Sequence, residues 1–371
     1  MKKIDIITFQ NAHNYGATLQ TYALQRFLND KNYEANDINY KDKEIGEQYK
    51  IFRVNTKNEL SFAKSIVVGI RDFIPNSIRH NRFERFIAEN IRLTNSYKNE
   101  KELKSNPPDA DVYITGSDQV WNTGITKGLT DAYTLNFGNT DIIRISYAAS
   151  IGNPIIYDYE KVFFKKKLEK IDYISVRESL AKENLNKLGF ENVKVCIDPT
   201  LLVKREVWKN LIKDTKKLKR DYIFAYDVKP EKEYYEIVNN FSKEMNLPIV
   251  HFEKKNKKYV KVLKKAYTSG PLEFLALIKN SRYVVCTSFH ATVFSIIFHK
   301  DFYVIPHKET GNRVTNLLEL LDIKDRVFYN YEDFENRDKK SEINWDEVDK
   351  KLEKLRNDSS NWLINAIESE K

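Results

Sequence analysis

Short, β-branched apolar runs alternate with longer amphipathic stretches along almost the whole chain, and this alternation limits the fold more than any other feature. In the first 200 residues the runs 3–9, 111–115, 142–149, 173–176 and 193–197 read as strands. Helical stripes lie between them. Residues 17–28 carry Leu19, Ala23, Leu24, Phe27 and Leu28 on one face, and 178–188 end at Gly189, a natural stop. The second half repeats the pattern, with strands at 221–226, 247–252, 282–287 and 302–305 and a short one at 327–329. Helices are expected at 162–170, 230–245, 270–280, 291–299 and 313–321. Such alternation predicts parallel sheets with helices on both faces.

The simplest architecture is therefore α/β: two doubly wound, Rossmann-like domains facing a cleft. Asp198-Pro199-Thr200 is the expected crossing point. Residues 1–200 would form the N-terminal domain and 201–344 the C-terminal one. Helices in 345–371, broken near 357–360, would pack back across the junction. Residues 41–106 read as a helical insertion, with helices at 60–70 and 76–91 separated by Pro75. The lysine-rich stretch 254–265 reads as a connector.

The candidate chemistry sits where strands end. Residues 287–290 (Thr-Ser-Phe-His) join a strand to a helix, so free backbone N–H groups and the positive dipole end point above the sheet edge. Ser288 fits an N-cap, and His290 would stand beside an anion site. That suits a phosphate- or carboxylate-bearing substrate; the plainer reading is an ordinary βα unit with an exposed histidine. The loop 10–16 holds His13, Asn14 and Gly16 beyond the first strand. Gly116, Ser117, Asp118 and Gln119 follow the strand 111–115, and Arg177 directly follows 173–176.

Several classes are disfavoured. The chain lacks a P-loop, a GxGxxG and a nucleophile-elbow serine. Its two cysteines, Cys196 and Cys286, lie in apolar runs and read as buried small hydrophobes in a reducing cytoplasm, with neither metal spacing nor a disulfide framework. The N-terminus reads as a first strand, since Asp5 interrupts what would be a signal-peptide core. A net charge of +9 favours anionic partners, but the basic residues are scattered and no nucleic-acid motif occurs. Arg79, Arg82 and Arg85 form a basic face opposite Ile78, Phe83, Phe86 and Ile87, which is either solvated or turned to an acidic membrane.

Taken in order, Asn14-Tyr15-Gly16-Ala17 with Leu19-Gln20, the run Gly116-Ser117-Asp118-Gln119-Val120-Trp121-Asn122, Ser146-Tyr147-Ala148 with Ser150-Ile151-Gly152, Ser175-Val176-Arg177-Glu178, Asp198-Pro199-Thr200 and Ser288-Phe289-His290 closely resemble the polysaccharide pyruvyl transferase family. The likeness covers roughly residues 1–325, and the GSDQVWN run is its most specific part. It implies a GT-B-like fold. It also implies transfer of pyruvate from phosphoenolpyruvate to a sugar hydroxyl pair of a surface or capsular polysaccharide, giving a ketal. Phosphoenolpyruvate would be a co-substrate, with no cofactor and no metal.

The resemblance places the donor at Arg177 and at Ser288, Phe289 and His290, where the family usually has Arg-Leu-His. Lys308 and Arg313 stand near enough in sequence to replace the missing arginine. Arg177 would grip a carboxylate with two parallel hydrogen bonds, unless it is an ion pair with Glu178 or Asp198. His290 is the expected proton donor, since histidine's ordinary pKa near ~6.5 allows exchange at neutral pH. Asp118 is either the base toward the acceptor or a loop hydrogen-bonder. Asn14, Gly116, Ser117 and Gln119 are expected at the acceptor, an oligosaccharide or lipid-linked saccharide. A cytoplasmic enzyme would follow, at the inner membrane face if 76–91 meets the bilayer. Two other readings stay open: a GT-B glycosyltransferase using a nucleotide sugar, and a non-catalytic partner in polysaccharide assembly.

Overall fold

The structure, a computed structural model, describes residues 1–47, 49, 51, 59–152, 156–228, 232–254, 258–307 and 311–370. The chain folds as α/β with two all-parallel sheets. Strands β1 (Lys3–Ile7), β2 (Glu34–Tyr40), β3 (Leu93–Tyr97), β4 (Val112–Thr115), β5 (Ile143–Ala149), β6 (Tyr173–Val176) and β7 (Lys194–Val195) form the first, in the order β3-β2-β1-β4-β5-β6-β7. Strands β8 (Ile223–Tyr226), β9 (Ile249–His251), β10 (Val262–Lys265), β11 (Tyr283–Cys286) and β12 (Asp301–Val304) form the second, in the order β10-β9-β8-β11-β12.

Both orders reverse once, at β1/β4 and at β8/β11. Ligands of open parallel sheets bind outside the strand ends at such a reversal. Loops 8–14 and 116–122 stand at the first reversal, and Asp227 and Thr287–His290 at the second.

The sheets share a core. Leu24, Trp208, Phe224, Phe274 and Phe294 belong to one continuous buried cluster. Tyr15 of the first helix (Tyr15–Asp30) stacks on Phe274 at 4.2 Å and donates its hydroxyl to the carbonyl of Ser269 at 2.8 Å. The helix Trp345–Glu368 begins beside the second sheet and ends on the first. Asp349 accepts from Arg205 at 3.0 Å, while Ser359 Oγ accepts the amide of Ile197 at 3.1 Å.

Several expectations are corrected. The insertion is one helix, Glu59–Asn90, with Pro75 inside it rather than two helices parted there. Packing of Phe83, Phe86 and Ile87 into the core outweighs the bond that proline forfeits. The last helix runs unbroken through 357–360, because Ser359 and Ser360 are buried against the first domain instead of ending a turn. Part of the lysine-rich connector is the edge strand β10, and β2 and β3 are further strands in polar sequence. Residues 327–329 make only an isolated bridge, from Val327 to Val304. The helix expected at 230–245 is Lys232–Glu244; Pro230 lies outside the described residues.

The basic face of the insertion splits. Arg79 donates to the carbonyl of His13 at 3.0 Å and lies over the rings of Tyr15 and Phe83. Arg82 donates to the carbonyl of Thr268 at 3.1 Å and pairs with Glu273. Both arginines therefore tie the insertion helix across the cleft, and of the three Arg85 alone is in the exposed class. Both cysteines are buried. Among the described residues, no helix is long and apolar enough to cross a membrane.

Candidate active site

The centre of the site is a carboxylate. Asp198 follows β7 and caps the short helix Pro199–Leu202, accepting from the Thr200 amide at 3.0 Å and its hydroxyl at 2.6 Å with Oδ1. Its Oδ2 accepts from Arg177 Nη1 at 2.7 Å and faces His290 Nε2 at 3.5 Å. Asp198 is 1% exposed, so these contacts lie in a low-dielectric environment. Burial opposes its ionisation, yet His290, Arg177 and Thr200 together hold the carboxyl well below the usual carboxylate range.

Arg177 emerges directly from β6. Its Nε reaches Glu178 at 3.4 Å, and its guanidinium lies 4.6 Å over the ring of Phe289. Burial works against its charge, but Glu178, Asp198 and Asp118 raise its pKa above the ordinary value. The ion-pair reading of Arg177 is thus realised with both acids. One nitrogen remains: Nη2 is buried and has no hydrogen-bond partner among the described residues. Nε of Arg313, at the start of the helix Asn312–Leu320, is buried and unpartnered in the same way. Burial, with the charge of Arg177 next, lowers the Arg313 pKa. Two guanidiniums therefore each present an unused N–H donor, where the expectation assigns both hydrogen bonds of the carboxylate to Arg177 and makes Arg313 a substitute for the missing arginine.

His290 is carried on the first turn of the helix Phe289–Ile297, capped by Ser288 Oγ accepting the Ala291 amide at 3.5 Å. His290 is 8% exposed, its Nε2 has no hydrogen-bond partner among the described residues, and its other nitrogen packs on Gly16. A cavity of about 210 Å³ lies between the sheets. Arg177, Asp198, Phe289, Arg313, Asn316 and Ser359 are among its lining residues, and His290 meets it only at Asp198. At roughly 30 Å³ per water it has room for a small multiply charged anion. Three carboxylates (Asp118, Glu178, Asp198) act on the two arginines. Selectivity for an anion must therefore come from aimed N–H groups and not from net charge.

The remaining candidates stand on the first sheet. Asn14 caps the first helix, its Oδ1 accepting from Gly16 at 2.9 Å and Ala17 at 3.3 Å. Gly116 has φ +110°, and a Cβ there would meet the Tyr147 carbonyl at 2.3 Å. Ser117 is fully buried; its hydroxyl donates to the Ala148 carbonyl at 2.7 Å and its amide to Gln20 at 3.0 Å. Gly116 and Ser117 thus form the turn and offer a saccharide no surface. Asp118 is half-buried, with φ 65°, and its Oδ1 accepts the Gln119 amide at 2.9 Å. Gln119 uses its Oε1 on Asn122 at 2.8 Å. Lys308 lies outside the described residues.

The family model for polysaccharide pyruvyl transferases matches residues 14–309, a span that contains Arg177, Asp198 and His290 but not Arg313. The chain belongs to the polysaccharide pyruvyl transferase family. No curated protein matches it. Among solved structures it is similar to UDP-GlcNAc 2-epimerases from Methanocaldococcus jannaschii (15% identity, 96% of this chain and 93% of that one, TM-score 0.44) and Neisseria meningitidis (11%, 99% of each, 0.49). It is also similar to the glycosyltransferase SnogD from Streptomyces nogalater (10%, 99% of each, 0.41).

In this pyruvyl transferase family chain two contacts of the site escaped the sequence. Asp198 is expected there as the domain crossing point and as one of two ion-pair partners open to Arg177; its approach to His290 has no local signal. Gly16 reads as a turn former; its second role, contact with an imidazole 274 positions later, has no local signal.

Proposed function

We propose that this polysaccharide-directed transferase moves pyruvate from phosphoenolpyruvate to two hydroxyls of a sugar, forming a ketal. The observation that carries the reading is the convergence of Arg177 and His290 on one buried carboxylate, with Arg177 and Arg313, each keeping an unfilled guanidinium donor, lining the same cavity. Nη2 of Arg177 and Nε of Arg313 would bind the donor's carboxylate and phosphate, with the amides at the start of Phe289–Ile297 adding to the phosphate site. Phe289 fixes the plane of Arg177 from below.

His290 would protonate the methylene carbon of the enol from Nε2, leaving oxocarbenium character on the neighbouring carbon. A sugar hydroxyl attacks that carbon and gives its proton to Asp118. The carbon–oxygen bond to phosphate breaks, and a second hydroxyl closes the ring. Of the two hydroxyl protons, one is made good on His290 and the other leaves with phosphate. Asp198 positions the reacting groups: it holds Arg177 flat and faces the imidazole. Asn14 and Gln119 remain proposed at the acceptor through their amide nitrogens.

The test is acceptor-dependent phosphate release from phosphoenolpyruvate. His290→Gln is expected to lower turnover at least ~10²-fold, the scale of a lost general acid. Arg313→Met should weaken the donor with a smaller effect on turnover. Thermal stabilisation by UDP- or GDP-sugars but not by phosphoenolpyruvate would overturn the reading in favour of a glycosyltransferase.

A further inference from the structure

A second polar cluster lies away from Asp198. His80 and Glu84 are one helical turn apart on Glu59–Asn90, so they share a face. His13, in the loop after β1, is 6% exposed and donates from Nε2 to Glu84 Oε1 at 2.7 Å. The rings of His13 and His80 are 4.5 Å apart at 64°. One ligand atom from each of the three residues falls within 4.8 Å of the others. His80 Nδ1 is buried and has no partner among the described residues, an unpaired imidazole nitrogen inside a polar cluster. Both histidines line a cavity of about 260 Å³ together with Tyr49, Asn76, Arg79 and Lys254.

From these positions we propose that His13, His80 and Glu84 form a site for a divalent transition-metal cation of the zinc class. Two imidazoles and one carboxylate are a donor set suited to such ions, and three protein ligands leave a fourth position open. In a tetrahedral site with bonds of about 2.0–2.1 Å the ligand atoms stand roughly 3.3 Å apart. The 2.7 Å contact between His13 and Glu84 lengthens, and the widest spacing closes. The cation takes the place of the proton that His13 and Glu84 share, and that proton leaves to solvent. On the cavity wall Lys254 is paired with Asp72 at 3.3 Å and Arg79 is used on the His13 carbonyl, so the fourth position falls to water or hydroxide.

A bound ion would fasten the His13 loop to the insertion helix, one residue before the Asn14 cap.

The full chain, stripped with a chelator, is titrated with Zn²⁺ by calorimetry in two buffers of different ionisation enthalpy, and with Co²⁺ by absorption. One ion per chain is expected, with a dissociation constant below about 10 µM, release of a proton and a tetrahedral Co²⁺ spectrum. Glu84→Gln, on an exposed side chain that leaves the fold intact, and His80→Gln should each weaken binding at least tenfold. Binding no tighter than about 1 mM, or tight binding unchanged in both variants, would overturn the site.

Discussion

The imidazole of His290 rests on the Cα of Gly16: a methyl group built there would lie 2.1 Å from Nδ1 and 2.6 Å from Cε1. Two helix starts, one from each sheet, therefore touch through a residue without a side chain. Gly16→Ala is expected to displace the ring from Asp198 and lower turnover at least ~10-fold, since small misplacements are costly in catalysis. The helix itself should tolerate alanine, a better helix former by about 1 kcal/mol. Circular dichroism should be unchanged. Wild-type turnover in this variant would mean that the ring moves aside without consequence.

Asp198→Asn leaves Arg177 buried beside a neutral amide. Loss of one member of a buried pair is expected to lower stability by about 3–5 kcal/mol in urea unfolding near pH 7. The sign with pH follows from the depressed carboxyl. Its contribution is complete above the unfolded carboxylate pKa of about 3.9 and fades as pH falls below it toward the folded value. The gap between wild type and variant should thus be flat from about pH 5 to 8 and narrow only in stronger acid.

His251 at the end of β9 is fully buried, and burial, with Lys265 next, pushes its pKa down to about 4. In the unfolded chain it titrates near ~6.5. The folded state binds fewer protons between these values, so stability is present above pH ~6.5 and is lost as pH falls toward 4. The expected loss is on the order of 1–3 kcal/mol. His251→Asn, whose oxygen can accept the Glu253 amide as Nδ1 does at 3.2 Å, should flatten this slope. A slope identical to wild type would assign the effect to other groups.

Asp37 runs the other way. It is fully buried on β2 and accepts from Gln25 Nε2 at 2.6 Å. Burial, reinforced by Asp5, raises its pKa well above normal, and Asp5 itself is pushed up to about 6 by burial. Here the folded state keeps a proton that the unfolded chain releases near pH ~4, so the acid costs stability as pH rises above that point. Asp37→Asn is expected to raise the melting temperature, with a gain that grows from pH 5 to 8.

Strands rich in valine and isoleucine were legible because burial on both faces requires an apolar run, as in β1, β4, β8 and β11. The strands β2, β3 and β10 were not, although the edge strands β7 and β12 were. β2 reads Glu-Ala-Asn-Asp-Ile-Asn-Tyr and β10 Val-Leu-Lys-Lys, and their pairing is set by neighbours in space. Pro75 looked like a boundary because local rules ignore what the next turns bury. At the site, Arg177 and His290 could be picked out singly, from a strand end and a helix start. The pairing of Arg177 with Asp198 was one of two ion pairs open to it, but the approach of His290 to the same acid could not be read, because a spacing of 92 positions carries no local pattern. For Gly116 and Ser117, polarity and turn chemistry suggested ligand contact where the structure uses both to close a bend.

The helix Trp345–Glu368 begins at Asp349 beside Arg205 and ends with the Ile367 carbonyl accepting from Lys2 at 2.6 Å and Glu368 accepting from Tyr33 at 2.7 Å. The two halves of the molecule are thus joined by two polypeptide straps instead of one. Because the buried core around Tyr15 and Phe274 also spans the halves, Gly16 and His290 are kept together by packing as well as by these two connections.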